Sequence, residues 1–160
     1  MKIAVLGAGA WGTALAASAA ARQATLLWAR DAEQAVAMAR TRCNARYLPE
    51  VSLPDGLRTT ASLAEALEHG RGGLTVIATP MSGLRQMLQS LPEETAAVWL
   101  CKGFEAGSGA LGHEISRQMR PGRPCGVLSG PSFALEVARG QPTALAVSYT
   151  HLTLPTNREV

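Results

Sequence analysis

Gly7, Gly9 and Gly12 form a Gly-x-Gly-x-x-Gly turn directly after the apolar run Ile3-Ala4-Val5-Leu6, and an alanine-rich stretch over residues 11–21 follows. Strand, glycine turn and helix in that order suit the diphosphate of a dinucleotide. Gly7 permits the tight turn, Gly9 lets the backbone approach the phosphates, and Gly12 lets the helix lie close on the strand. The first N–H groups of the helix lack intrahelical partners and mark the positive end of its dipole, so they attract an anion. An ordinary β-α glycine turn is the alternative; the strand before it and the helix after it favour the ligand.

Other polar groups also trail apolar runs. In an open α/β sheet the ligand lies beyond the carboxyl ends of the strands, so residues that follow strands gather at one edge. Arg30, Thr79, Lys102 and the turn Ser129-Gly130-Pro131-Ser132 all satisfy that condition. Arg30 stands where a site committed to NAD places an acid for the ribose 2′-hydroxyl; a guanidinium there pairs instead with a 2′-phosphate. NADP(H) is therefore favoured, while Asp31 next to it keeps NAD(H) open. The competing view makes Arg30 a solvated helix-start residue. Lys102 offers an ammonium to a phosphate or a carbonyl, against the alternative of a surface lysine. Gly130 and Ser132 offer a backbone N–H and a hydroxyl, or simply make a structural turn.

Behind these groups the pattern alternates. Apolar runs at 2–6, 25–28, 73–78, 97–101 and 125–128 read as strands buried on both faces, with 144–147 as a sixth. Helices are expected over 11–21, 32–42 with Asp31 as N-cap, 82–91 and 111–119. Ser62 to Glu65 reads as a capping box opening a short helix that runs to Glu68. Residues 43–54, with Pro49 and Pro54, read as an irregular surface connection. The alternation implies an α/β fold: a Rossmann-like doubly wound, mostly parallel sheet flanked by helices.

Composition narrows the function. The 160 residues are 47% hydrophobic and 17% charged, which suits one folded domain. Fifteen Lys and Arg against twelve Asp and Glu give +3 with no basic run, so nucleic acid is not an expected partner. No apolar stretch approaches the ~18 residues of a membrane span, and the amino terminus lacks the pattern of a secretory leader. The three cysteines and three histidines are dispersed, without metal-ligand spacing. A cytoplasmic setting with free buried thiols is expected.

Several blocks together resemble the bacterial NAD(P)-dependent glycerol-3-phosphate dehydrogenase family. They are Gly7-Ala8-Gly9-Ala10-Trp11-Gly12-Thr13-Ala14-Leu15-Ala16, Leu27-Trp28-Ala29-Arg30-Asp31 and Arg42-Cys43-Asn44-Ala45-Arg46-Tyr47-Leu48-Pro49. Thr79-Pro80, Cys101-Lys102-Gly103-Phe104-Glu105 and Ser129-Gly130-Pro131-Ser132-Phe133-Ala134-Leu135-Glu136 continue the likeness in order, as far as Val147. The resemblance implies reduction of dihydroxyacetone phosphate to sn-glycerol 3-phosphate for glycerophospholipid synthesis. It implies cofactor contacts at Gly7, Gly9, Ala10, Trp11, Gly12, Arg30, Asp31, Tyr47, Lys102 and Ala134. For the phosphorylated small-molecule substrate it implies Lys102, Gly130 and Ser132. Ala10 departs from a common serine, leaving backbone contact only, and Ser132 keeps the hydroxyl of a common threonine. A homodimer is compatible with the family.

The same resemblance implies that the catalytic lysine lies in a helical second domain, absent here, so Lys102 acts as an electrostatic partner and the fragment by itself is expected to be inactive. Residues 1–147 are expected to form the NAD(P)-binding domain. Residues 148–160 do not resemble the family and read as foreign sequence, with no role for Tyr149 or His151. Two alternatives remain: a stand-alone NAD(P)H-binding sensor module, and a related two-domain reductase of the ketopantoate or β-hydroxyacid type.

Overall fold

Ile3 and Val5 enter one hydrophobic cluster while Leu6 enters another, so the first strand is buried on both faces. The structure is a computed structural model and describes residues 1–142 and 144–149. In chain order the elements are β1 (Lys2–Leu6), α1 (Ala10–Ala20), β2 (Ala24–Trp28), α2 (Ala32–Thr41), β3 (Cys43–Asn44), β4 (Leu48–Ser52) and β5 (Leu57–Thr60). They continue with α3 (Leu63–Gly70), β6 (Leu74–Ile77), α4 (Met81–Ser90), β7 (Ala96–Trp99), α5 (Gly112–Met119), β8 (Cys125–Ser129), α6 (Ala134–Ala138) and β9 (Ala146–Tyr149).

Seven strands form one sheet in the order β5-β2-β1-β6-β7-β8-β9. All neighbours pair in parallel except β8 and β9, which are antiparallel. Small residues let α1 and α2 pack close: Ala16, Ala17, Ala35 and Met38 share a cluster with Val5, Leu27 and Val76. The other face packs Ala66 of α3, Leu84 and Leu88 of α4 and Ile115 of α5 against Leu26, Ile77 and Trp99. A doubly wound sheet results, as the alternating pattern implies.

Besides adding the short helix α6, the structure departs from the sequence reading in three places. Residues 43–54 are not irregular: β3 and β4 pair antiparallel, with a register shift at Cys43 and Asn44. A two-residue strand and Pro49 hide the alternation, yet Leu48, Val51 and Leu53 are buried. Second, β5 went unread because it is an edge strand in which only Leu57 is buried and Arg58-Thr59-Thr60 are polar. Third, Ser62 caps α3 by accepting from Glu65 N–H at 3.2 Å, but Glu65 does not close the box. Its carboxylate takes Arg58 and the Thr60 hydroxyl instead, and Ser62 N–H donates to Thr60 Oγ1.

Cys101 and Cys125 are buried and Cys43 is half-buried; all three are free thiols. Among the described residues no helix is long and apolar enough to cross a membrane. β9 crosses the boundary expected at Val147, while residues 150–160, including His151, lie outside the described residues.

Candidate functional site

β1 and β6 are sheet neighbours from which the chain departs in opposite directions, toward β2 through α1 and toward β7 through α4. Their carboxyl ends meet. Gly7 N–H donates to Trp28 O at 3.0 Å, and Ala78 N–H donates to Leu6 O at 2.8 Å. Gly7 has φ 122°, and a Cβ there would stand 2.7 Å from Ala78 O. A Cβ on Gly12 would stand 1.9 Å from Gly7 O. Both positions therefore exclude any side chain. Gly9 differs: nothing lies within 4 Å of the Cβ it lacks. That open face is where a ligand can reach the backbone.

The first hydrogen bond of α1 runs from Thr13 N–H to Gly9 O at 3.0 Å. Gly9 is the N-cap, with no side-chain cap and no acid in the first turn. The N–H groups of Ala10, Trp11 and Gly12 are thus left without intrahelical partners and unopposed by a carboxylate.

Beside this helix start lies a cavity of about 290 Å³, lined by Trp11, Thr79, Lys102, Ser129, Gly130 and Leu145 among others. Lys102 is exposed, at the end of β7, and pairs with no carboxylate among the described residues. Beneath it Cys101 donates to Thr79 O at 3.0 Å. Burial pushes the Cys101 thiol above its ordinary range, so it stays protonated and is no nucleophile. Thr79 Oγ1 is buried and has no partner among the described residues.

The loop carrying Lys102 turns at Gly103, with φ 91°, and is fastened to α4. Arg85 donates to both oxygens of Glu105, at 2.8 and 2.7 Å, and the Ser108 hydroxyl donates to Glu105 Oε2 at 2.6 Å. The Arg85 guanidinium, followed by Ser108, holds the Glu105 carboxyl down at about 2.

Of the residues expected at the site, Gly7, Gly9, Ala10, Trp11 and Gly12 lie together in the β1–α1 turn and helix start, where Trp11 lines the cavity. Lys102 and Gly130 line the cavity beside it. Ala134 opens α6 and packs with Ala10 and Trp11 around Val137. Arg30 is exposed at the same sheet edge, beyond the end of β2 and outside the cavity. Asp31 Oδ1 caps α2, accepting from Glu33 and Gln34 N–H at 2.9 and 3.2 Å. Arg30 makes no ion pair among the described residues. Tyr47 is exposed in the turn between β3 and β4, under the Arg46 guanidinium at 5.3 Å, and does not line the cavity. Ser132 turns its hydroxyl to Ala144 O at 3.1 Å. Gly130 is also required by packing, since a Cβ would stand 2.3 Å from Ala144 O.

Three residues that sequence reasoning passed over support the glycine turn from below: Thr13, Gln34 and Asn44. Thr13 and Asn44 are fully buried. The only available signal was a polar residue within the alanine helix and a lone amide in a segment without periodicity.

Fold and turn together define a Rossmann-type nucleotide-binding domain. The model of the family described as NAD-dependent glycerol-3-phosphate dehydrogenase N-terminus matches residues 2–154, and the chain belongs to that family. A glycerol-3-phosphate dehydrogenase [NAD(P)+] of Methylibium petroleiphilum is 62% identical over 153 residues, covering 94% of this chain and 46% of that protein. The corresponding protein of Leptothrix cholodnii is 54% identical over 162 residues, covering 94% and 48%. The crystal structure of glycerol-3-phosphate dehydrogenase from Coxiella burnetii superposes with a TM-score of 0.83 at 33% identity, covering 93% of this chain and 46% of that one. The chain thus spans about half the length of the relatives it matches.

Proposed function

We propose that this chain is the cofactor-binding half of a glycerol-3-phosphate dehydrogenase that reduces dihydroxyacetone phosphate to sn-glycerol 3-phosphate with NADPH or NADH. One observation carries the reading: the Gly7–Gly12 turn opens its bare Gly9 face at the β1/β6 junction, beside a cavity that Trp11 and Lys102 both line. A cytoplasmic location and a phosphorylated small-molecule substrate belong to the same proposal.

The residues fit a dinucleotide. Unpartnered N–H groups at the start of α1 match a diphosphate, no acid opposes it, and Gly9 leaves room for its approach. Arg30 holds a 2′-phosphate by charge-assisted hydrogen bonds, which favours NADPH over NADH. When bound, the nicotinamide supplies the hydride. Lys102 attracts the substrate phosphate and polarises the carbonyl to be reduced. It is no general acid in this scheme. The proton for the developing alkoxide is left to a group other than these residues.

Titrating the 160-residue chain with NADPH and NADH, followed by tryptophan fluorescence, tests the proposal. Saturable binding, tighter for NADPH, is expected. A folded chain that binds neither overturns it.

A further inference from the structure

The Ala8 carbonyl accepts two side-chain hydrogen bonds, from Asn44 Nδ2 at 3.0 Å and from Gln34 Nε2 at 2.9 Å. A carbonyl can only accept, so chemistry fixes which end of each amide faces it. The remaining amide hydrogens are also placed. Asn44 Nδ2 donates to Thr13 Oγ1 at 2.7 Å, and Gln34 Nε2 donates to Asn44 Oδ1 at 3.3 Å. Asn44 is 0% exposed, and Ala8 is buried. Both lone pairs of one carbonyl are thereby used by two side-chain amides, one fully and one half buried, which fixes the plane of the Ala8–Gly9 peptide.

That plane has a consequence at the site. No peptide bond among the described residues is cis. In a trans peptide the C=O and the N–H point in opposite directions. The Ala8 carbonyl points into the buried amides, so Gly9 N–H points away from them. Gly9 N–H has no partner among the described residues and stands next to the free N–H groups of Ala10, Trp11 and Gly12.

We propose that Asn44, assisted by Gln34, is a positioning residue for the dinucleotide: it aims Gly9 N–H at the diphosphate by holding the Ala8 carbonyl. The proposal rests on the cofactor reading above. It also gives the β3–β4 hairpin a task, since this insertion carries the buried amide to the turn.

The test uses the 160-residue chain labelled with ¹⁵N, with Asn44→Leu and the milder Gln34→Met, whose side chain is only half-buried. Whichever of NADPH and NADH binds the unaltered chain more tightly serves as probe. Loss of a hydrogen bond predicts affinity lower by about 3-fold in Gln34→Met and by more than ~10-fold in Asn44→Leu. The Gly9 amide signal, which moves on binding in the unaltered chain, should move less in both variants. A purely structural role would lower the unfolding midpoint and leave that signal responding in full. Should Asn44→Leu fail to fold, Gln34→Met decides. Equal affinity and an equal Gly9 response in the folded variants overturn this inference alone; an unaltered chain that binds neither nucleotide overturns the proposed function with it.

Discussion

The two walls of the crevice are built by different means. One is the β1–α1 turn, whose shape is set by backbone against backbone: Gly7 against Ala78 O and Gly12 against Gly7 O, with the Ala8 carbonyl held from below. The other comprises the segments after β7 and β8, where side-chain contacts add to main-chain bonds and to the close approach of Gly130 to Ala144 O. Glu105 grips Arg85, and Ser132 grips Ala144 O. That wall also leaves Phe104 69% and Phe133 73% exposed. The β1–α1 turn thus sits where atoms cannot shift, whereas Lys102, the cation proposed for the substrate, rides on a loop fastened through the Glu105 side chain. Preorganised donors are worth more than mobile ones, because no reorganisation is needed on binding.

The largest effect should come from breaking the first wall. In Gly12→Ala the new methyl meets a main-chain oxygen that has no free rotamer to adopt. Urea unfolding should show a loss of about 3 kcal/mol or more. A variant as stable as the parent would mean that turn and helix can separate at little cost, and the contrast between the walls would vanish.

Gly9→Ala sharpens the same contrast within a single turn. Its φ of −75° suits alanine and nothing lies near the added methyl. Stability should fall by no more than about 1 kcal/mol, the cost of alanine at an N-cap. Affinity for NADPH should nevertheless fall by ~10-fold or more, about 1.4 kcal/mol, as the methyl occupies the approach of the diphosphate. Binding measured by calorimetry at unchanged strength would place the phosphates elsewhere.

Arg30→Asp probes the rim beyond both walls. A charge-assisted hydrogen bond contributes about 1.5–3 kcal/mol, so NADPH binding should weaken by more than ~10-fold while NADH is spared. Equal losses for the two nucleotides in parallel titrations would remove the 2′-phosphate from Arg30.

The two walls were not equally legible in the sequence. Gly7, Gly9 and Gly12 announce themselves because only glycine meets each local demand, and the flanking strand and helix are long and regular. Lys102 could be placed at the edge because an apolar run ends just before it. What stayed hidden depends on distant partners. Asn44 matters through Ala8 and Thr13, more than thirty residues away, and no local pattern encodes such a contact. β5 escaped because an edge strand buries one side chain, and β3 because two residues cannot show a period. The bond from the Ser132 hydroxyl to Ala144 O likewise joins residues whose local sequence does not show the contact.

The smallest effect concerns how the second wall is fastened. Arg85 and Glu105 are partly exposed, at 32% and 15% of their side chains, so solvent screening reduces what this bidentate pair contributes in neutral buffer. Their signature is therefore a pH dependence. The Glu105 carboxyl lies at about 2 in the folded chain against an ordinary 4.5, chiefly through Arg85 and then Ser108. A depressed carboxyl stabilises the fold in full above its unfolded value and ceases to do so as pH falls through its folded one. Urea midpoints of the unaltered chain should thus decline from about pH 5 to about pH 2.5 more steeply than those of Glu105→Gln, which has no such proton to take up. Parallel curves would show that the Lys102 loop is held by its main chain, through Glu105 N–H to Ala110 O and Gly109 N–H to Glu105 O. The second wall would then be set by its backbone, as the first is.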